Sequence, residues 1–348
     1  MQALLLTAPN EFSITSVPDP TPGPHEVLCR VERVGICGTD IHMIQGHYPG
    51  FWPAYYPFTP GHEWSGEVVG LGPGADDFGF AVGDRVAGTS HAPCSFCNNC
   101  IRGRYNLCTS YGNPALHSHY GHTAQGCYAE YVVHSIRSVF RLPDTLDYDQ
   151  AAIADPASIA FHTATRGGVR EGQAVVVIGA GPVGILAADC ARALGASRVV
   201  FAARGARLDV VEKLGFEVLD TAEPDPAARL REILPTGADV VLDAAGTPQS
   251  VPMALGMLAR GGRCATVGIP TDLVSLDLAA LVLDELELVG VRASAGEMPA
   301  TLDLLADGRI RAGELITHRF PLADFATALD VAASRTNGAI KVMIDLSL

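Results

Sequence analysis

The sequence has little positive charge and no cluster of it. Only 24 of its 348 residues are lysine or arginine, against 38 aspartates and glutamates, and the formal net charge is −14. Nucleic acids and anionic membrane surfaces are bound through concentrated lysine and arginine, so this composition argues against both as ligands. We therefore expect a small-molecule partner, with neither nucleic acid nor membrane involved.

A long hydrophobic run is also missing. The longest uncharged apolar stretch, Gln173–Ala188, is interrupted by glycine and proline and falls short of the roughly 20 apolar residues that a membrane-spanning helix needs. The first residues carry no basic leader of the kind that precedes a secretory signal. We therefore expect a cytoplasmic protein. In that reducing compartment the nine cysteines indicate metal binding or chemistry rather than disulfides.

The hydrophobic pattern changes twice along the chain. Residues 1–150 contain short apolar runs separated by glycine, proline, asparagine and aspartate, which is typical of a mainly-β domain. From about residue 173, near-continuous apolar strands alternate with helices, as in a parallel sheet covered on both faces. After residue 293 the pattern returns to helix, loop and a last strand. The sequence thus predicts an α/β, doubly wound domain at 151–293, inserted into a mainly-β domain formed by 1–150 and 294–348.

A glycine-rich turn follows the first strand of the inserted domain. Val175–Gly184 is an apolar strand that continues into Gly-x-Gly-x-x-Gly and then into an apolar helix. In a Rossmann domain the first glycine permits a tight turn, the second lets backbone amides approach a pyrophosphate, and the third lets the helix pack on the strand. The helix N-terminus offers its unpaired N–H groups to the phosphates. The residues predicted to bind a dinucleotide here are Gly179, Gly181, Pro182, Val183 and Gly184.

The end of the second strand indicates which dinucleotide is bound. An NAD site carries an aspartate or glutamate about 20 residues after the glycines, where it binds the ribose diol. The segment Phe201–Arg207 holds no acid, whereas Arg204 and Arg207 follow the expected position. A guanidinium pairs well with a 2′-phosphate, so we expect a preference for NADP(H). The alternative is that both arginines are solvated surface groups and that NAD(H) is accepted.

Four cysteines lie close together in the first domain, in a lobe at residues 91–112. Two Cys-x-x-Cys steps are followed, after a gap of seven residues, by the fourth cysteine. A closed tetrahedral site of four thiolates leaves no open position for a substrate, so its zinc is structural. The predicted ligands are Cys94, Cys97, Cys100 and Cys108.

A different, mixed set of metal ligands precedes this lobe. Gly35–His42 and, about twenty residues later, Pro60–Glu63 supply a thiolate, imidazoles and carboxylates. One ligand of each kind leaves an open position on zinc for water or a substrate oxygen. Zinc lowers the pKa of bound water from about 15.7 to about 7, and a bound alcohol is expected to respond in the same way. This pattern predicts a Lewis-acid site.

Together these motifs resemble the zinc-containing medium-chain alcohol dehydrogenases, in the branch with sorbitol, threonine and secondary-alcohol dehydrogenases. The resemblance covers nearly the whole chain and keeps the family's order of motifs. It rests on Cys-Gly-Thr-Asp-x-His, Gly-His-Glu, Gly-Asp-Arg-Val, the four-cysteine lobe and the glycine-rich turn. It implies that the mainly-β domain is GroES-like and that each chain binds two zinc ions, one catalytic and one structural.

The resemblance also implies which residues bind the catalytic zinc. Cys37 and His62 match two of the family's ligands, and Asp155 stands where the family places a third. Glu63 matches a glutamate that lies behind the metal and can enter its coordination, so it is the alternative third ligand. Asp40 is expected to orient His62 through the second ring nitrogen. A zinc-free reductase of the same fold, or a non-catalytic descendant, would not need this set.

For the reaction, the resemblance implies that Thr39 hydrogen-bonds the substrate oxygen and that His42 carries the proton to solvent through the cofactor ribose. The nicotinamide is expected near Val267 and Gly268, at the carboxyl edge of the parallel sheet. The cofactor supplies the redox chemistry and the protein supplies position and electrostatics. The expected activity is that of a zinc-dependent oxidoreductase that interconverts a secondary alcohol and its ketone, or an alcohol and an aldehyde.

The sequence constrains the substrate less than the reaction. Tyr48–Phe58, between the two catalytic motifs, is rich in aromatics and proline, which favours an apolar or ring-shaped substrate or else a subunit contact. Tyr111–His122, with three histidines, is a second candidate wall or a plain exposed loop. Gly61–Gly66 also resembles bacterial dehydrogenases of polyols and aminocyclitols, so these compounds are the alternative substrates.

Assembly is implied by the resemblance alone. Leu286–Val291 corresponds to a strand that pairs across a two-fold axis in this family, joining two sheets. We therefore expect a homodimer, or a homotetramer built from dimers.

Overall fold

The computed structural model describes residues 1–48, 51–205, 207–270 and 272–348, apart from the side chain of Asn337. In chain order the strands are β1 (Gln2–Ala8), β2 (Glu11–Ser16), β3 (Glu26–Gly35), β4 (Glu63–Leu71), β5 (Arg85–Gly88), β6 (His91–Ala92), β7 (Ser118–His119), β8 (Tyr131–Ser135), β9 (Val139–Arg141), β10 (Ala174–Ile178), β11 (Arg198–Ala203), β12 (Glu217–Asp220), β13 (Ala238–Asp243), β14 (Leu258–Thr266), β15 (Glu287–Gly290), β16 (Ile316–Pro321) and β17 (Lys341–Asp345).

Helices connect many of these strands. They are α1 (Gly38–Ile44), α2 (Asn98–Ile101), α3 (Tyr148–Ala151), α4 (Ala154–Gly167), α5 (Pro182–Ala193), α6 (Arg207–Lys213), α7 (Pro226–Ile233), α8 (Ser250–Met257), α9 (Leu278–Leu283), α10 (Met298–Ala306) and α11 (Phe325–Ser334). Short 3-10 turns lie at Asp76–Phe78, Tyr105–Leu107, Ala312–Leu315, Leu322–Asp324 and Thr336–Gly338. Among its described residues, the chain forms no helix with both the length and the hydrophobicity required to span a lipid bilayer.

The chain divides into two compact units. Unit 1 comprises Met1–Asp155, Met298–Ala306 and Ala312–Leu348, and unit 2 comprises Pro156–Glu297 and Asp307–Arg311. The chain passes from unit 1 to unit 2 after Asp155, five residues beyond the predicted boundary at 150. It returns to unit 1 after Glu297, four residues beyond the predicted boundary at 293.

An ion pair accounts for the short stretch near the C-terminus that belongs to unit 2. The backbone N–H of Arg311 donates to the Asp189 carboxylate at 3.0 Å, and the Arg311 guanidinium donates to it at 2.7 Å. Asp189 is only 2% exposed, and a carboxylate at such a depth needs a cation beside it. Because the partners are 122 residues apart in sequence, no local sequence pattern predicts this contact.

Unit 1 is built around a mainly antiparallel sheet. Its strands pair in the order β16, β17, β3, β4, β5 and β9, and β8 also pairs with β3. The predicted mainly-β domain is confirmed, but β16 was not predicted, because a polar edge strand ending in proline lacks the alternating pattern. Its core includes Leu4, Val34, Trp64, Tyr128 and Phe325.

Unit 2 contains a parallel sheet in the order β12, β11, β10, β13, β14 and β15. Each crossover carries one of the helices α5 to α9, as parallel neighbours require. The predicted doubly wound Rossmann fold is confirmed, although the short, acidic edge strand β12 was not predicted. The strand order reverses between β10 and β13, and ligands of such sheets bind at the carboxyl ends of the strands beside this reversal.

Candidate metal and dinucleotide sites

Strand register brings the mixed ligand set together. Gly35, at the end of β3, pairs with Glu63 at the start of β4. Cys37 lies two residues after the end of β3 as the N-cap of α1, and His62 immediately precedes β4. The two motifs are about twenty residues apart in sequence but adjacent in the sheet, because antiparallel pairing returns the chain to the same place.

The ligand atoms of Cys37, His62 and Glu63 all lie within 4.8 Å of one another. A zinc ion about 2.0–2.3 Å from each ligand atom fits a cluster of this size. Asp155 lies outside this set, although it is buried, and its Oδ1 accepts a hydrogen bond from the Ser90 backbone at 3.2 Å. Burial, opposed by His62 and reinforced by Glu63, raises the pKa of Asp155 to about 6. The set of Cys37, His62 and Glu63 therefore fits zinc, and Asp155 is a buried carboxylate outside this set.

Lys341 on β17 is a site residue that the sequence did not reveal. Its Nζ donates to the Glu63 carboxylate and, at 3.0 Å, to the Ile36 carbonyl oxygen. Both side chains of the pair are almost fully buried. A Cβ at Gly35 would stand 2.5 Å from the Glu63 carboxylate and 3.5 Å from the lysine side chain. The glycine that precedes the catalytic motif thus leaves room for this ion pair.

Helix α1 positions the groups around the metal set. The Asp40 carboxylate accepts hydrogen bonds from the Cys37 backbone at 3.0 Å and from the Tyr128 hydroxyl at 2.7 Å. Its other oxygen lies 3.4 Å from Nδ1 of His62, close to the orienting contact expected from the sequence. The Oγ1 atom of Thr39 is buried and has no hydrogen-bond partner among the described residues. An orphaned hydroxyl of this kind is an available partner for a substrate oxygen.

The four-cysteine lobe is a second, separate set. Helix α2 begins after Cys97 and carries Cys100, and a 3-10 turn leads into Cys108. The sulfur atoms lie 3.4 Å apart for Cys97 and Cys100, 3.4 Å for Cys94 and Cys108, and 3.8 Å for Cys94 and Cys100. Four sulfurs at about 2.3 Å from a tetrahedral zinc would be separated by roughly 3.8 Å. The lobe therefore fits a closed structural zinc.

The loop Tyr111–His122 carries a buried histidine cluster. Gly112–Leu116 is exposed, but three histidines that follow are buried: His117, His119 and His122. The rings of His119 and His122 stack at 3.8 Å between centroids, and His122 lies 4.6 Å from the ring of His62. Burial and the neighbouring histidines lower the pKa of His119 well below its usual value, so this ring is neutral. The histidine part of the segment is not a plain exposed loop.

The aromatic segment Tyr48–Phe58 contacts this histidine cluster. Pro49 and Gly50 lie outside the described residues. The Trp52 ring lies 4.5 Å from that of His122 and 5.2 Å from that of Tyr48. Its Nε1 donates to the Tyr111 hydroxyl at 2.9 Å. The segment therefore places an aromatic face next to the ring that covers His62, and its indole donor is already engaged.

The glycine-rich turn of unit 2 joins β10 to α5. A Cβ at Gly184 would come within 1.9 Å of the Gly179 carbonyl oxygen, so the helix can approach the strand only at a glycine. Gly179 has a φ of +98°, a conformation that other residues rarely adopt. Gly181 is the N-cap of α5, followed by Pro182 and Val183, with no side-chain cap. The helix N-terminus thus keeps its backbone donors for a phosphate.

The remaining predicted cofactor residues also lie at the carboxyl ends of strands. Arg204 is exposed just after β11, and Nη1 of Arg207 lies 3.5 Å from the position of a Cβ on Gly181. Val267 and Gly268 follow β14, and both of their N–H groups donate to the Asp243 carbonyl oxygen. Unit 2 therefore gathers the predicted dinucleotide residues at one edge of its sheet.

Comparisons with known sequences agree with this arrangement. The alcohol dehydrogenase GroES-like domain matches residues 23–144, and the zinc-binding dehydrogenase family matches residues 182–307. A sorbitol dehydrogenase of Halalkalibacterium halodurans is 33% identical to the chain, with 99% of each protein covered. An L-threonine 3-dehydrogenase of Saccharopolyspora erythraea is 34% identical, again with 99% of each covered.

Solved structures show the same fold. A putative zinc-binding dehydrogenase of Sinorhizobium meliloti 1021, bound to NADP, is 29% identical with a TM-score of 0.90, over 99% of this chain and 98% of that one. A protein described as a short chain alcohol dehydrogenase of Escherichia coli CFT073, in complex with NADH, is 27% identical with a TM-score of 0.91, over 99% of both chains. The chain therefore belongs to the zinc-containing medium-chain alcohol dehydrogenases and is an NAD(P)-dependent oxidoreductase.

Proposed function

We propose that the protein oxidises a secondary alcohol to a ketone with NADP as hydride acceptor, and catalyses the reverse reduction. The observation that carries the proposal is the cluster of Cys37, His62 and Glu63 together with the buried hydroxyl of Thr39, which has no hydrogen-bond partner in the described part of the chain. A thiolate, an imidazole and a carboxylate leave one position on zinc for a substrate oxygen, and the hydroxyl would hydrogen-bond that oxygen.

Two zinc ions per chain are part of the proposal. The four cysteines of the lobe would hold the structural ion. Cys37 and His62 would hold the catalytic ion, with Asp155 as third protein ligand and Glu63 as the alternative. The closeness of the Glu63 carboxylate to the Cys37 and His62 ligand atoms supports Glu63. The ion pair of Glu63 with Lys341 supports Asp155, because a carboxylate already bound to a cation is a weaker metal ligand.

The residues of unit 1 would act on the substrate proton. When bound, zinc would lower the pKa of the alcohol and the nicotinamide would accept the hydride. Thr39 Oγ1 accepts the proton of the substrate hydroxyl in a hydrogen bond, and His42 receives that proton and passes it to solvent. Asp40 holds the His62 ring in a fixed orientation through Nδ1.

The choice of NADP rests on Arg204, just after β11, and on Arg207, the first residue of α6. No carboxylate is available in Phe201–Arg207 for a ribose diol, and the Arg207 guanidinium reaches the glycine-rich turn. The structural relatives in complex with NADP and with NADH show that the fold accommodates both, so the arginines carry this part of the proposal.

Replacing either Arg204 or Arg207 by alanine should raise the KM for NADP about 10- to 100-fold, because each charge-assisted pair with the 2′-phosphate contributes about 1.5–3 kcal/mol, and the double variant should lose more than either single one. The KM for NAD should change little, since NAD has no phosphate there. Steady-state kinetics of both single variants and the double variant with the two cofactors measures this. Equal losses with NAD and NADP, or a wild-type preference for NAD, would contradict the assignment.

The aromatic face supports an apolar, ring-bearing alcohol. The indole N–H of Trp52 donates to Tyr111, and the Tyr111 hydroxyl lies 3.0 Å from Nδ1 of His119. These polar groups are engaged with one another, so the face offers ring surface rather than donors. Polyols and aminocyclitols are the second candidate substrates, favoured by the similarity to a sorbitol dehydrogenase.

A screen of cyclic and acyclic secondary alcohols against polyols and cyclitols, with NADP and NAD, tests the proposed function. Formation of reduced cofactor is followed by its absorbance, and zinc is counted per chain in the same sample. Turnover of secondary alcohols with two zinc ions per chain is the expected result. Turnover of polyols alone would select the second candidate. A chain without zinc would point to a zinc-free reductase or a non-catalytic descendant.

We also propose a homodimer, which a tetramer could extend, formed through the edge strand β15. Leu288 on that strand is exposed, as are Leu278, Val282 and Leu283 on the preceding α9. An open strand edge beside exposed apolar side chains is a surface that proteins normally cover. Light scattering that gives a monomer mass would contradict this assembly.

The nine thiols, all free of disulfides, support a reducing compartment such as the cytoplasm.

A further inference from the structure

Helix α1 ends in a geometry that brings two histidines together. Gly46 has a φ of +75°, and its N–H donates to the Met43 carbonyl oxygen at 3.0 Å. The N–H of His47 donates to the His42 carbonyl oxygen at 2.9 Å. These are the two bonds of a Schellman motif, in which the side chain after the glycine packs on the third residue from the helix end. The motif therefore places His47 against His42.

The two imidazoles are joined by a direct hydrogen bond. Nδ1 of His42 lies 3.1 Å from Nδ1 of His47, and the ring centroids are 5.3 Å apart. Both side chains are exposed to solvent. One of the two Nδ1 atoms must carry the shared proton and the other must accept it. The bond fixes the direction in which each ring points, and it leaves both Nε2 atoms for other partners.

We propose that His47 is the outer member of the proton path, taking from His42 the proton that leaves the substrate and releasing it to water. This inference rests on the proposed alcohol oxidation. A proton that arrives at Nε2 of His42 is balanced by one that moves from Nδ1 of His42 to Nδ1 of His47. His47 then releases its Nε2 proton to water. No electrons move in this step, and exchange with solvent at the exposed rings restores the starting tautomers.

The surroundings of His42 suit this transfer. Partial desolvation of the ring, His47 and Arg335 all lower the pKa of His42, so the ring is mainly neutral at pH 7 and able to accept a proton. Arg335 stands just after α11, and Tyr48 contacts the His42 ring at 6.1 Å between centroids. Neither supplies an acceptor that ends the path, because arginine stays protonated and a tyrosine hydroxyl is a weak base. His47 therefore acts through His42 and is a positioning residue for the proton path.

The variant His47→Gln separates proton transfer from simple support. A glutamine amide can hydrogen-bond the His42 ring, but it does not take up a proton at neutral pH. In dilute buffer we expect kcat for alcohol oxidation to fall about 10-fold, less than the 10²–10⁴-fold that a direct general base contributes, with KM unchanged. Imidazole buffer should restore most of the rate. The acidic limb of the pH profile should move to higher pH, because the charge of His47 no longer lowers the pKa of His42.

Two controls make the test decisive. His318 is a histidine on β16 that contacts Thr317, and the variant His318→Gln should keep wild-type kinetics. A double variant His42→Ala/His47→Gln should be no slower than His42→Ala alone, because the two residues serve one path. A His47→Gln enzyme with wild-type kcat and pH profile, or with a loss that imidazole does not restore, would overturn the proposal.

Failure of the proposed function is distinguishable from failure of this inference. If the wild-type enzyme oxidises no alcohol, the proposed function has failed, and NMR titration of the imidazoles still tests the pair. A pKa of His42 that rises in His47→Gln supports the shared proton. Titration of His42 unaffected by the substitution would overturn it.

Discussion

Replacing Cys37 by serine should abolish alcohol oxidation and remove the catalytic zinc, while the zinc of the four-cysteine lobe stays bound. The sulfur of Cys37 is one of three ligand atoms within 4.8 Å of one another. A serine hydroxyl stays protonated at neutral pH and offers zinc no charge. Because loss of a mere supporting contact costs roughly 10- to 100-fold in metal affinity or activity, loss of this ligand should bring turnover below detection.

Metal analysis and kinetics on the same preparations measure this. Wild-type protein should carry two zinc ions per chain and Cys37→Ser one. Cys29→Ser is the matched control, since Cys29 is a fully buried thiol on β3 that lies outside the set of ligand atoms. Retained turnover by a Cys37→Ser protein with one zinc per chain would refute the assignment.

Zinc content of Asp155→Asn and Glu63→Gln decides the third ligand, which should be the residue whose loss releases more metal.

Local pattern and spacing explain what the sequence could predict. A parallel strand that runs into Gly179, Gly181 and Gly184 is encoded within ten residues, so both the Rossmann fold and the position of its turn were accessible. The four cysteines of the lobe are likewise neighbours in the chain. The family resemblance added the GroES-like fold of the mainly-β unit, which no periodicity reveals, and the roles of Thr39 and His42, which stay predictions.

Contacts between distant segments explain what was missed. Lys341 meets Glu63 across 278 residues, and a lone lysine in an apolar strand looks like a surface group until β17 is paired with β3. The sequence did not indicate that the ring of His119 stacks on neighbouring histidine rings, because spacing in a loop does not determine ring contacts. His47 is closer to a predictable case, since Gly46 after a short helix is a recognisable C-cap signal.

Replacing Lys341 by methionine should destabilise the zinc-free protein much more than the zinc-loaded protein. The Lys341 and Glu63 side chains are 2% and 3% exposed, so the variant leaves a buried carboxylate without its cation. Breaking such a pair typically costs about 3–5 kcal/mol. In the loaded protein the nearby metal charge compensates Glu63 in part, and the loss should be smaller. Every 1.4 kcal/mol of difference corresponds to about tenfold tighter zinc binding by the variant.

Denaturation midpoints with and without a chelator measure the two losses, and competition with the chelator measures zinc affinity. Lys341→Arg keeps the charge and should stay closer to wild type. The double variant Lys341→Met/Glu63→Gln removes both charges and should recover most of the zinc-free stability, because an uncharged amide is less costly to bury than a carboxylate. Equal destabilisation of Lys341→Met in the zinc-free and the zinc-loaded protein, with no recovery of stability when Glu63→Gln is added, would mean that Lys341 contributes only packing. Relief by Glu63→Gln together with tighter zinc binding would show that the lysine and the metal compete for one carboxylate.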